Sequence, residues 1–197
     1  MTDEQKKAAQ GIHKALKGLA QTLQILKEDV RFAEQQLNLH KKSHEQTCRR
    51  TLIRCVCAYL EATLSLMKAA TLPAADFFSA NLSDEEMEVA SGHRVKNRVL
   101  GKRAPFSSFP DNVKRTLGAF AKAHAVSCVI NYDDAGFCDL CETYGLRNRL
   151  MHPKTHLDIE VSNKAFETSI RGFNWFDSAG VRIMKDCKEK VTVGLVS

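Results

Sequence analysis

From Ile12 onward the apolar positions of this chain recur as Ile12, Leu16, Leu19, Leu23, Leu26, Val30, Ala33 and Leu37, in alternating steps of four and three. Such a stripe lies along one face of a helix that packs on another helix. It predicts one helix of roughly 35 residues, about 50 Å long at 1.5 Å per residue, or two helices broken near Asp29. Gly11 and Gly18 weaken its start. Packing against the next helix of the same chain is favoured over an intermolecular coiled coil, although both use this spacing.

A second helix is expected over 45–70, with Cys48, Leu52, Cys55, Tyr59, Leu66 and Ala70 on one face and Pro73 ending it. Ser83-Asp84-Glu85-Glu86 reads as a capping box opening a short helix towards Leu100, which Gly92 can break. Phe106 and Phe109, bracketed by Pro105 and Pro110, should pin a loop to the core. A helix over 111–126 follows, with Val113, Leu117 and Phe120 on its apolar face and His124 at the core edge. Asn131-Tyr132-Asp133-Asp134 offers caps for a helix running to His152, which Pro153 terminates by pushing the preceding residue out of the helical region. After a loop over 153–161, Ser162 can cap a last helix that turns Phe166, Ile170, Phe173, Met184 and Cys187 inward. Gly172 and Gly180 are its weak points, and a loose or strand-like tail covers 191–197.

The elements therefore imply an all-α fold. With 10 Gly, 4 Pro and 7% aromatic residues, composition also disfavours an all-β chain. No repeat or linker divides the 197 residues, so one domain is expected: a long amphipathic helix over 1–40 as an elaboration, and a core bundle over 45–190. The first ten residues carry both signs of charge, unlike a secretory signal. The longest fully apolar run, 55–60, is far short of the ~18 residues needed to span a bilayer. Seven cysteines, an odd number scattered through helices, suit a reducing, cytoplasmic setting. The formal charge of +6 permits an anionic partner without requiring one. Arg94, Lys96 and Arg98 belong to the densest basic run and are candidates for RNA phosphates. Acids opening that helix and bases closing it also complement the helix dipole, which is the stronger reading.

The residues that carry chemistry gather before Pro153. In Arg147-Asn148-Arg149-Leu150-Met151-His152, Asn148 and His152 are four apart and share a face, with Arg147 flanking it. The dipole favours a charged imidazole at this helix end, while Arg147, Arg149 and Lys154 oppose it. Such a set suits RNA phosphodiester cleavage: a base activates the 2′-hydroxyl, cations hold the phosphate and an acid protonates the leaving oxygen. One histidine hardly serves as both base and acid, so two copies facing across a twofold axis would supply the pair, and a homodimer is the natural assembly. By chance an Arg-Asn with His five places after the Arg should arise only about 0.02 times in a chain of this composition. Upstream, Glu61 is the sole charge between Cys55 and Met67. A carboxylate in such surroundings calls for a cation, either a core-facing arginine or an active-site group.

The hexapeptide resembles the Arg-x(4–6)-His motif of the HEPN superfamily, including the polar residue that commonly follows the Arg. The apolar helix bearing Glu61 is similar to that superfamily's earlier core helix, and the resemblance covers 46–176. It implies a helical bundle that dimerises so that two motifs meet in a cleft, and in many members a metal-independent ribonuclease activity without cofactor. Carried over, Arg147 would stabilise the scissile phosphate, Asn148 would orient it, His152 would be the acid or base, and Glu61 would position Arg147. Arg149 and Lys154 would add RNA contacts. A stress, phage-defence or toxin–antitoxin role, with an inhibitor or antitoxin protein as a further partner, is implied in the same way. Some antitoxin-controlled members carry a Tyr where this chain has Lys154, so control through such a Tyr is not expected.

Other motifs point nowhere. Cys138-x-x-Cys141 has no second CxxC or βαβ context, and both thiols are expected to face inward. No phosphate-binding Gly-rich loop or metalloprotease motif occurs. The rival to a nuclease is a non-catalytic helical module that binds RNA, nucleotide or protein, with the heptad helix as its working surface.

Overall fold

A computed structural model describes residues 3–40, 44–92, 108–127 and 129–196, without the side chains of 3–5 and 194–196. Among the described residues six α-helices follow in order: α1 (Asp3–Leu39), α2 (Glu45–Phe78), α3 (Asp84–Ser91), α4 (Phe109–Ala123), α5 (Ala135–Met151) and α6 (Asn163–Val196). A 3-10 turn, His156–Ile159, lies between the last two, and no strand occurs among the described residues. The all-α class is thus observed.

The first helix is unbroken at Asp29. Its heptad stripe is buried within the chain, with Leu26 half-buried, which removes that stripe from the surface. A different set, Ile25, Phe32 and Leu39, stays at 62–74% exposure, each seven residues from the next.

Pro73 does not end α2, contrary to the sequence expectation; it sits inside a helix that continues to Phe78. A proline removes the bond to the carbonyl four residues back, here Ala69. Both Pro73 and Ala69 are exposed, so water can satisfy that carbonyl at little cost. By length and composition alone α2 could cross a membrane, which the count of consecutive apolar residues had missed. Half of the relevant window is buried inside the protein, as in a core helix.

Ser83 accepts from the Glu86 amide while Glu86 accepts from the Ser83 amide, giving the expected capping box. The helix stops at Gly92, whose φ of +67° puts it in the left-handed region that glycine tolerates, and the stretch from there to Leu100 lies outside the described residues. α6 runs unbroken through the weak points Gly172 and Gly180 and stays helical to Val196, where a loose or strand-like tail was expected, because Ile183, Cys187 and Val191 continue a buried i, i+4 ladder. Gly172 serves close packing: a Cβ there would lie 2.6 Å from the Leu140 amide nitrogen of α5.

The chain folds as two compact units. The first joins Met1–Ala20, Thr63–Ile130 and Gly180–Ser197. In it α3 pairs with α4 through Glu86 and Lys122 at 2.7 Å and Glu85 and Arg115 at 3.7 Å. Burial works to raise the Glu86 carboxyl, but the Lys122 ammonium and the Ser83 donors outweigh it and hold it below the usual range. His124, expected at the core edge, is instead fully buried. Its Nδ1 donates to the Phe120 carbonyl at 2.8 Å, its ring packs on Phe120, and its Nε2 has no partner among the described residues. Burial pushes this imidazole below its ordinary range, against the opposing pull of the Phe120 carbonyl.

The second unit joins Gln21–Ala62 and Asn131–Ala179 and contains the motif. Asp177 of α6 ties three helices together, pairing with Lys27 of α1 and accepting from the Tyr59 hydroxyl of α2 at 2.7 Å. At the other end of this part of α2, buried Arg49 donates to the Val161 carbonyl at 2.7 Å and pairs with Glu45 and Asn163. Gln46 brackets Val161 from both sides, donating to its carbonyl at 3.1 Å and accepting from its amide at 2.9 Å. The segment after the motif is therefore anchored to α2.

Candidate functional site

The C-terminal turns of α5 carry the motif. Asp134 caps the helix by accepting from the Gly136 amide at 2.7 Å, which starts it in the register that closes on His152. Phe137, Leu140, Leu146 and Leu150 bury one face. That leaves Asn148, Arg149 and His152 exposed, with Arg147 between the two environments.

Arg147 is engaged on several sides. Its Nη2 lies 2.9 Å from Glu61 Oε1 on α2, its Nη1 donates to Asn148 Oδ1 at 3.2 Å, and its guanidinium carbon sits 5.8 Å from the centre of the Tyr144 ring. The structure thus brings together Glu61, Arg147 and Asn148 as a chain of side chains. Glu61 itself differs from the sequence picture of a carboxylate in apolar surroundings. Its side chain is 44% exposed, because α2 turns Ala58 and Glu61 outward from the apolar positions that flank them. Beneath it Cys57 is buried, and burial together with the Glu61 charge pushes its thiol up to about 12, against a smaller opposing effect of Arg147.

His152 is the C-cap of α5. Its amide donates to the Asn148 carbonyl at 3.1 Å, and its φ of −131° marks the exit from the helix that Pro153 enforces. The residue is exposed and its ring has no hydrogen bond or ion pair among the described residues. Arg149 and Lys154 are exposed as well. Arg149 helps to hold the Asp158 carboxyl below its usual range, though the amides of Thr155 and Lys154 do more. Arg94, Lys96 and Arg98 lie outside the described residues.

Three contributors escaped the sequence reading. Tyr144 was findable, since a residue three before Arg147 on a helix must neighbour it. Arg49 and Gln46 act through pairing with Val161, which no local pattern announces. Conversely, Cys138 is exposed and Cys141 half-buried, so the expectation that both thiols face inward fails. The helix spends its apolar face on Phe137 and Leu140, leaving Cys138 on the solvent side.

Compared with family models, curated proteins and solved structures, the chain matches none.

Chemically, the surface offers a guanidinium held in place, an amide, an accessible imidazole and two further cations. Phosphate recognition by arginine and proton transfer by histidine are what these groups do best.

Proposed function

We propose that this protein is a metal-independent endoribonuclease of HEPN type. Arg147 stabilises the phosphate, Asn148 orients it, His152 transfers a proton, and Glu61 positions Arg147. A homodimer with facing motifs is the assembly the resemblance suggests, in a cytoplasmic stress, defence or toxin–antitoxin setting. The observation that carries the reading is Arg147, held by Glu61 and Asn148 about one and a half helical turns before an exposed, unencumbered His152. A phosphate-binding group and a proton-transfer group on one accessible helix end supply half of what 2′-hydroxyl attack needs, and a facing copy would supply the second imidazole.

The test is incubation of labelled RNA in excess EDTA with wild type, Arg147→Ala and His152→Ala. Cutting by wild type alone, leaving 2′,3′-cyclic phosphate ends, supports the enzyme. Equal or absent cutting across all three rejects it in favour of a non-catalytic binding module. That second reading draws on the exposed set Ile25, Phe32 and Leu39, an apolar face on α1 suited to an interaction surface.

A further inference from the structure

Phosphate-binding and proton-transfer groups hold the reacting atoms of an RNA without touching its bases. A base offers a protein polar edges and a flat π face, and aromatic side chains meet the face. α5 carries two aromatic residues, Phe137 and Tyr144. Phe137 is buried, whereas Tyr144 is half-buried and keeps part of its surface in water.

The backbone and the contacts of Arg147 together put the Tyr144 ring beside the motif. Tyr144, Asn148 and His152 follow one another at intervals of four, a spacing that aligns them along one stripe of α5. That stripe is about 12 Å long at 1.5 Å per residue. It holds through the cap, because the His152 amide still bonds the Asn148 carbonyl. Side chains on a helix lean towards its N-terminus, so Arg147 reaches back over Tyr144, with its guanidinium carbon 5.8 Å from the centre of the ring. Glu61 holds the guanidinium there from α2 at 2.9 Å. Thr143 and Leu146 are buried, which sets Tyr144 at the boundary of the core. Next to it Gly145 is exposed, and nothing else in the described chain comes within 4 Å of where its Cβ would sit, so the helix surface beside the ring is open.

Resting on the endoribonuclease reading, we infer that Tyr144 forms a nucleobase subsite: its ring stacks a base adjoining the phosphate that Arg147 binds. A bound phosphate oxygen sits about 2.7–2.9 Å from a guanidinium nitrogen. One sugar separates that phosphate from each flanking base, which brings a base within reach of the ring that the same guanidinium covers. Every base has a π face, so the subsite takes an unpaired base of any kind rather than one sequence. In a dimer with facing motifs each chain brings its own ring.

The experiment measures kcat/KM for wild type, Tyr144→Leu and Tyr144→Phe on a single-stranded RNA with one scissile linkage. Two further versions of that RNA lack the base on the 5′ or the 3′ side of the linkage and keep every 2′-hydroxyl. Wild type should cut one abasic RNA about 5- to 150-fold more slowly than the intact one, the range that stacking a base on an aromatic ring gives. Tyr144→Leu should lose a similar factor on intact RNA and nothing further on that abasic RNA, since each change removes one partner of the same contact. Tyr144→Phe should restore most of what Tyr144→Leu loses. The side on which the coupling appears gives the direction of the strand along α5.

If Tyr144 only props the guanidinium of Arg147, Tyr144→Leu would slow intact and abasic RNAs by the same factor, which overturns the inference and leaves the endoribonuclease reading intact. Equal cutting of intact and abasic RNAs by wild type overturns it too, and that comparison needs no variant to fold. Absence of cutting by wild type defeats both proposals together.

Discussion

Glu61 Oε1 and Arg147 Nη2 stand 2.9 Å apart and link the middle of α2 to the last turns of α5. Both side chains are partly exposed, so the pair adds little to stability, on the order of 0–1 kcal/mol. Its effect lies in aiming a guanidinium that could otherwise sample many rotamers. Glu61→Gln should therefore shift the urea midpoint only slightly while lowering kcat for RNA cleavage about tenfold. If the carboxylate does no more than repel RNA, the same variant would bind RNA more tightly and cut no more slowly.

Gly172 and Gly118 make a matched pair for the packing argument. A Cβ at Gly172 would meet Leu140 and Asp139 backbone atoms at 2.6–2.8 Å, whereas one at Gly118 meets nothing within 4 Å. Gly172→Ala should destabilise by about 1–3 kcal/mol, because backbone cannot move aside cheaply. Gly118→Ala, at an exposed position of α4, should instead stabilise by about 0.5–1 kcal/mol through helix propensity. Chemical denaturation of both variants checks the contrast in sign.

His124 makes stability depend on pH. Burial holds its imidazole below the ordinary range, so the unfolded chain takes up a proton more readily than the folded one. Its cost is absent above about pH 6.5, the unfolded value, and grows as pH falls from there towards the folded value. Glu86, held low in the folded protein, works in the same direction but only below about pH 4.3. Wild type should lose more stability between pH 7 and pH 5 than His124→Met, measured by urea midpoints. Parallel losses in the two proteins would refute the assignment to His124.

The thiols should react in an order set by burial. Cys138 is exposed, whereas Cys57 is buried with its thiol pushed up to about 12. Thiolate is the reactive form. Mass spectrometry after iodoacetamide treatment at pH 7.5 should find Cys138 modified in the folded protein and Cys57 modified only on unfolding. Early modification of Cys57 would mean that the second unit opens readily around Glu61.

Much of the helical plan could be read directly because it depends on neighbours three and four residues away. The stripe from Ile12 to Leu37, the capping box at Ser83 and the terminator at Pro153 are of this kind. Pro73 was misjudged for a reason that spacing cannot supply. Whether a proline breaks a helix depends on whether the orphaned carbonyl faces water, and that is settled by what packs on the opposite face. Gly172 was misjudged likewise: a residue that weakens an isolated helix lets two helices approach within backbone contact.

The motif shows the same division. Local order along the chain was enough to set Arg147, Asn148 and His152 on one helix end, since 3.6 residues per turn leave no other arrangement. The lone charge at Glu61 announced that a cation was needed without saying which. Its pairing with Arg147 and the anchoring of Val161 by Arg49 arise from elements meeting across the second unit. Such contacts depend on how side chains far apart in the chain fill a shared space, and a one-dimensional pattern carries no coordinates for that.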